Sequence, residues 1–96
     1  MNYSQMVNEA PVVVVEFFAT WCPHCQRMMP IVDQVRELLG DAIPVVQLDI
    51  DQNQAAAHEV RVDGVPTFII YKGGAEVWRH SGEIDGNDLL AKIQSY

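Results

Sequence analysis

The chain has 96 residues, of which 49% are hydrophobic and 20% charged, and a formal net charge of −7. That length allows one domain, residues 1–96, with a modest core that needs no disulfide staples, and the apolar content excludes a disordered chain. The negative charge argues against nucleic acid and anionic membrane surfaces as partners, and no apolar stretch approaches the roughly 20 residues of a membrane-spanning helix.

Residues 3–9 predict a short first helix with Met6 and Val7 inward. Residues 1–10 contain no Lys or Arg and the four-valine run is too short for a signal core, so the expected location is the cytoplasm. Val12 to Ala19 is β-branched, aromatic and almost wholly apolar, the pattern of a strand buried on both faces. From Cys22 to Leu39, the apolar positions Met28, Ile31, Val32, Val35, Leu38 and Leu39 follow a helical period that Gly40 ends, with a kink expected at Pro30. Pro44 to Ile50 predicts a second strand, and Gln52 to Arg61 a helix. Thr67 to Lys72 and Ala75 to His80 predict two strands joined across Lys72-Gly73-Gly74 as a hairpin. A last helix starts after Asp85 as N-cap, with Asp88 three residues on, and buries Leu89, Leu90 and Ile93. The order α-β-α-β-α-β-β-α implies a mixed sheet: two parallel strands linked by a helical crossover, and a C-terminal hairpin antiparallel to them.

The chemistry concentrates at Trp21-Cys22-Pro23-His24-Cys25, which holds the only two cysteines. A strand delivers this pair to a helix start, where free N–H groups and the helix dipole favour a thiolate over a thiol. Cys22, nearest that start, is the candidate nucleophile, and Cys25, one turn further in, the more buried resolving thiol. The competing readings are an inert structural pair and half of a zinc site; for the latter only His24, His58 and His80 are available, and none has ligand spacing to the cysteines. Glu16 stands six residues before Cys22 on an otherwise apolar strand, where burial would raise its pKa; a partly exposed strand glutamate is the alternative.

Val15-Glu16-Phe17-Phe18-Ala19, Trp21-Cys22-x-x-Cys25, Pro30, Leu48-Asp49-Ile50-Asp51, Gly64-Val65-Pro66-Thr67, Lys72-Gly73-Gly74 and Gly82 occur in the order and spacing of the thioredoxin family, which residues 10–96 resemble. The resemblance implies a thioredoxin-like three-layer α/β/α sandwich with a central mixed sheet. The N-terminus is short for the family and is expected to lack its first edge strand. The resemblance further implies that Glu16 relays a proton from the resolving thiol, in place of the family's aspartate, and that Pro66 is cis and stacks against the dithiol. Trp21, Gly64, Val65 and Gly82 would then form a small docking surface for substrate. The chain departs from the family in three places. Pro23-His24 replaces the usual Gly-Pro and matches the Pro-His of bacterial periplasmic disulfide oxidants. Gln47 stands where a lysine is common, which leaves no evident positive neighbour for Glu16. Ser81 and Glu83 flank Gly82, where the family tends to be apolar.

A histidine beside the nucleophile, when charged, would stabilise the Cys22 thiolate and make the disulfide more oxidising. The function expected is therefore protein thiol–disulfide exchange without cofactor or metal, by a monomer that reduces disulfide-containing proteins and is recycled by a thioredoxin reductase. The alternatives are a disulfide oxidant or isomerase, and a non-catalytic thiol or metal-binding module.

Overall fold

In the computed structural model, which describes residues 2–96, eight elements follow in the order α1 (Tyr3–Val7), β1 (Val12–Phe18), α2 (Pro23–Leu39), β2 (Val45–Asp49), α3 (Gln54–Glu59), β3 (Thr67–Lys72), β4 (Ala75–Ser81) and α4 (Gly86–Gln94). The strands lie in the order β2-β1-β3-β4. β1 pairs in parallel with β2 and antiparallel with β3, and β3 pairs antiparallel with β4. The sheet is thus mixed, as the sequence predicts, and no strand precedes α1 among the described residues.

β1 is central and buried on both faces, so alternation along it divides the core in two. Val12 and Val14 pack with Phe68 and Ile70 of β3 beneath Met28, Val32 and Val35 of α2 and Leu89 and Ile93 of α4. Val13, Val15 and Phe17 pack the other way, with Ile69 and Tyr71, beneath Val7 of α1 and Ala57 of α3. Glu16 has the parity of Val12 and Val14, which directs it to the α2 face.

The helix ends explain themselves locally. Asn2 Oδ1 accepts the Gln5 N–H at 2.8 Å and Gln5 Oε1 accepts the Asn2 N–H at 2.9 Å, a reciprocal cap that allows a five-residue helix. Tyr3 of that helix stacks on Phe17, and its hydroxyl meets the Tyr71 hydroxyl at 2.7 Å. α2 continues through Pro30, whose missing N–H leaves the Gln26 carbonyl without its usual donor. Asp85 caps α4, accepting from the N–H groups of Asn87 at 2.9 Å and Asp88 at 3.2 Å.

Three expectations need correction. Leu38 is 68% exposed, because the buried stripe of α2 runs through Met28, Val32 and Val35 and leaves Leu38 on its outer edge. Leu90 is only half-buried, at the margin of the core that Leu89 and Ile93 enter. The helix expected over residues 52–61 is shorter, Gln54–Glu59. At its start Asp49 Oδ1 accepts from the Asp51 N–H at 2.8 Å and Asn53 Nδ2 donates to the Asp49 carbonyl at 2.9 Å, holding residues 49–53 in a turn. At its end Arg61 adopts φ +60°, and Arg79 of β4 donates to the Val60 and Arg61 carbonyls at 2.7 and 3.2 Å.

Because α4 covers the α2 face of the sheet through Leu89 and Ile93, its cap should register in global stability. Asp85→Ala is expected to cost about 1 kcal/mol. For a domain of this size that lowers Tm by roughly 4–8 °C. A calorimetric scan of both proteins, each with a single cooperative transition, checks this.

Candidate functional site

Cys22 is the N-cap residue of α2, in extended conformation, and Pro23 fills the first helical position, where a missing N–H costs nothing. The first N–H groups that can face the Cys22 sulfur are therefore those of His24 and Cys25. In the thiol form they make no cap bond, and the thiol instead donates to the Val65 carbonyl at 3.6 Å. These two N–H groups, that of Cys25 foremost, together with the charge of Arg27, hold the Cys22 thiol below the ordinary cysteine range. Cys22 lies at the molecular edge under a thin cover, 4% exposed, while Cys25 faces inward at 2%. Both are free thiols. Burial pushes Cys25 up to about 11, reinforced by its hydrogen bond with Cys22 and by the charges of Cys22 and Glu16. One helical turn thus separates a thiol drawn below the ordinary cysteine range from one pushed above it.

The parity of β1 places a buried carboxyl on the same face as α2. Glu16 is 1% exposed, and burial raises its carboxyl pKa. The positive influence that Gln47 does not itself supply comes from elsewhere. Arg36 of α2 donates to Gln47 Oε1 at 2.9 Å and to the Val45 carbonyl at 2.8 Å, and Gln47 Nε2 donates to Glu16 Oε1 at 2.9 Å. Arginine only donates, so it fixes the amide with its oxygen outward and its NH2 on the carboxylate. Gln47 and Arg36 both lower the Glu16 pKa, though burial outweighs them. The expectation that nothing draws Glu16 back is therefore corrected.

The Val65–Pro66 peptide bond is cis. Its loop is held by Thr67, whose hydroxyl donates to the Gly64 carbonyl at 2.6 Å and meets the Ser81 hydroxyl at 3.0 Å. Gly82, at φ +100°, donates its N–H to the Pro66 carbonyl at 2.8 Å, which brings the end of β4 against this loop. Pro66 and Gly82 thereby stand together beside Cys22.

On the opposite side, Trp21 is 63% exposed and its indole N–H donates to Asp51 Oδ2 at 3.0 Å. Trp21, Gly64 and Val65 join Ile50, Asp51, Ala57, His58, Val62 and Asp63 around a groove of about 440 Å³. Gly82 does not line it. Asp51, His58 and Asp63 add polar and acidic groups to this groove. The His24 ring is engaged with other side chains: its Nδ1 lies 2.7 Å from Glu83 Oε2 and 2.8 Å from an Arg27 NH2. Arg27 and Arg36 carried no signal in the sequence as site residues, and Gln47 read only as a missing lysine, because their roles depend on partners 3 to 56 residues away. Among the described residues, no group of three or more His, Cys, Asp or Glu side chains is placed to hold a metal ion.

The thioredoxin family model matches residues 1–95. The chain is 42% identical over 88 residues to the chloroplastic thioredoxin Y of Oryza sativa subsp. japonica, covering 92% of this chain and 52% of that protein. It thus spans about half the length of the chloroplastic relatives it matches. A thioredoxin-like protein of Synechocystis sp. is 35% identical over 96 residues, covering 99% of this chain and 91% of its own length. Among solved structures, a mutant thioredoxin from Halobacterium salinarum superposes with a TM-score of 0.88 at 33% identity, covering 97% of this chain and 80% of that one. The helix-capping dithiol, the cis-proline loop beside it and the buried carboxylate beneath it recur here on a chain that matches the family model over nearly its whole length. This chain belongs to the thioredoxin family.

Proposed function

We propose that this chain is a protein thiol–disulfide oxidoreductase that reduces disulfides in other proteins through Cys22 and Cys25. One observation carries the reading: a free cysteine occupies the N-cap position of a helix, with a second, slightly deeper free thiol one turn behind it. The Cys22 thiolate attacks a substrate disulfide, forming a mixed disulfide and releasing one substrate thiolate. Cys25 then loses its proton to Glu16 and attacks the Cys22 sulfur. The second substrate thiolate leaves, and the Cys22–Cys25 disulfide remains after two electrons have passed to substrate. Pro66 and Val65 hold the substrate strand beside the sulfur, and Trp21, Gly64 and Gly82 border it.

No cofactor enters this cycle, and a thioredoxin reductase returns the disulfide to the dithiol. The protein works as a monomer, with neither nucleic acid nor membrane as partner, and carries reducing equivalents in a cytoplasmic setting. Its cysteine usage supports that setting, since both cysteines serve the site and none is spent on a structural staple. Reduction of insulin disulfides driven by dithiothreitol tests the reading. Wild type should accelerate the reaction and Cys22→Ser abolish the acceleration; a rate equal to the uncatalysed one would leave a binding module.

Brief iodoacetamide treatment of the reduced protein at mildly acidic pH should label Cys22 almost alone, because Cys22 lies below the ordinary cysteine range and Cys25 at about 11. Peptide mapping reads the result, and predominant Cys25 adducts would reverse the two roles.

Glu16→Gln should leave mixed-disulfide formation intact and slow its resolution, by about 10²-fold at the lower end for a lost general base. Stability gives an independent sign. A carboxyl raised by burial binds its proton more tightly in the folded state, so its stability contribution is complete below the unfolded value and declines as pH rises through the folded one. In the oxidised form, wild type should therefore lose stability relative to Glu16→Gln as pH rises above the ordinary carboxylate range. Parallel denaturation curves across that range would refute the buried, raised carboxyl.

Replacing Pro23-His24 by Gly-Pro removes the residue-24 N–H that faces the Cys22 sulfur. Pro23→Gly/His24→Pro should be more reducing than wild type, by on the order of tenfold in the glutathione equilibrium, or about 30 mV. An equal or less reducing potential in the variant would remove the support that Pro-His lends to an oxidant role.

A further inference from the structure

Opposite the groove, three charged or titratable side chains meet on one atom. Glu83 Oε2 accepts from Arg27 Nε at 3.0 Å and from an Arg27 NH2 at 2.7 Å, and lies 2.7 Å from His24 Nδ1. The carboxylate comes from the loop after β4, while Arg27 and His24 come from the first turns of α2. Its position is fixed from both directions. Gly82 ties the loop to the Pro66 carbonyl at 2.8 Å, and His80 Nε2 lies 3.1 Å from the Glu83 carbonyl. His24 Nδ1 is also 2.8 Å from the Arg27 NH2, so the ring either accepts from Arg27 or donates to Glu83, and one nitrogen cannot do both. In each state Glu83 keeps its two bonds from Arg27.

We propose that Glu83 is a positioning residue that sets the reduction potential of the Cys22/Cys25 couple, by holding Arg27 and His24 on a carboxylate and so offsetting the positive charge that α2 presents to Cys22. The inference rests on the thiol-exchange reading above. Arg27 acts on the sulfur: its charge draws the Cys22 thiol down, and the Cys22 thiolate in turn raises Arg27. A carboxylate bonded to that guanidinium opposes the same field. The two Arg27 bonds hold Glu83 itself at about 2, so it is charged throughout the neutral range. The other titratable or charged groups around the dithiol are Glu16 behind Cys25, Asp51 on Trp21, His58 and Asp63 lining the groove, and His80 beneath the loop. None of these makes a hydrogen bond to the Arg27 guanidinium.

Opposite signs separate this role from a structural one. Reduced protein is equilibrated with glutathione and glutathione disulfide, in which the dithiol gives two electrons and two protons to the disulfide and two glutathiones form. Thiolate absorbance is titrated in parallel. Glu83→Gln, which keeps an acceptor for Arg27 but not the charge, should ionise Cys22 at lower pH and make the couple more oxidising, by on the order of threefold in the equilibrium, or about 14 mV. Arg27→Gln should move both quantities the other way, and Arg27→Lys should restore them. Side chains that are 56% and 37% exposed act through solvent, so both shifts should shrink at 1 M salt. Repeating the pair in a His24→Gln background keeps the imidazole charge out of the comparison, and the signs should persist. Glu83→Asp, with its charge kept, should stay near wild type, and it serves as the reference should the amide variant lose its cooperative melt.

Glu83→Gln without effect, or shifted in the same direction as Arg27→Gln, would overturn the proposal while leaving thiol exchange intact. A wild-type dithiol that fails to equilibrate with glutathione would overturn both.

Discussion

Glu16 is a carboxylate placed where the fold can least solvate one, 1% exposed at the centre of a strand buried on both faces. Such a group is costly unless it is hydrogen-bonded, and the surroundings are arranged to satisfy it. Gln47 arrives because β2 pairs with β1 in a register that sets it directly opposite Glu16. Arg36 arrives because α2, after crossing the sheet, ends above β2 with its guanidinium on Gln47. The crossover, the parallel register and the helix length therefore converge on a single carboxylate. Among the described residues, no buried side-chain nitrogen or oxygen is left without a partner. The amide bridge delivers the influence of Arg36 without placing a full charge against Glu16. Burial still prevails, and the carboxyl is held above its ordinary range, near enough to the buried thiol for its charge to raise Cys25.

The two cysteines show how little separation is needed to divide two chemical roles. They lie on one turn of one helix, yet their pKa values move in opposite directions. Cys22 gains from the terminus, where N–H groups have no helical partner, and Cys25 loses by facing the core. Neither shift requires a charged histidine. His24 contributes through its backbone N–H, and its ring is committed to Glu83 and Arg27. The chemistry at this site thus depends more on where the helix begins than on which side chains lie between the cysteines.

Much of the fold was legible because its strongest signals are periodic. The apolar run from Val12 to Phe18 specifies a doubly buried strand, and β3 and its hairpin follow from a second apolar run, Phe68 to Tyr71, and the glycines after it. The dithiol was legible from spacing and from its place at a helix start. Less could be read where a side chain overrides a pattern. Asp49 and Asn53 hold residues 49–53 in a turn that delays the start of the expected helix, and Arg61 ends it in a conformation that its residue type does not signal. Leu38 belongs to the apolar period but falls just outside the strip that α4 covers. The Arg36–Gln47–Glu16 chain joins α2, β2 and β1, and the Glu83 cluster joins α2 to the loop after β4. Such contacts exist only once tertiary pairing is known, which is why Gln47 read as a missing lysine.

The site is also asymmetric around the Cys22 sulfur. On one side Trp21, Val65 and Ile50 offer apolar contact beneath the carboxylates of Asp51 and Asp63. On the other, Glu83 is occupied by Arg27 and His24, so its charge is largely spent within the protein. Two acidic surfaces of the same sign are thus unequal toward a substrate. The groove presents carboxylates that can meet a basic side chain, whereas the Gly82 side presents a neutralised cluster. Charges at the edge of an interface act mainly on encounter and orientation. A substrate strand lying along Val65 would then be oriented by its charge toward the groove, while the field at the sulfur is set from the opposite side. On the proposed reading, recognition and redox tuning fall to different residues, and a change in one need not disturb the other.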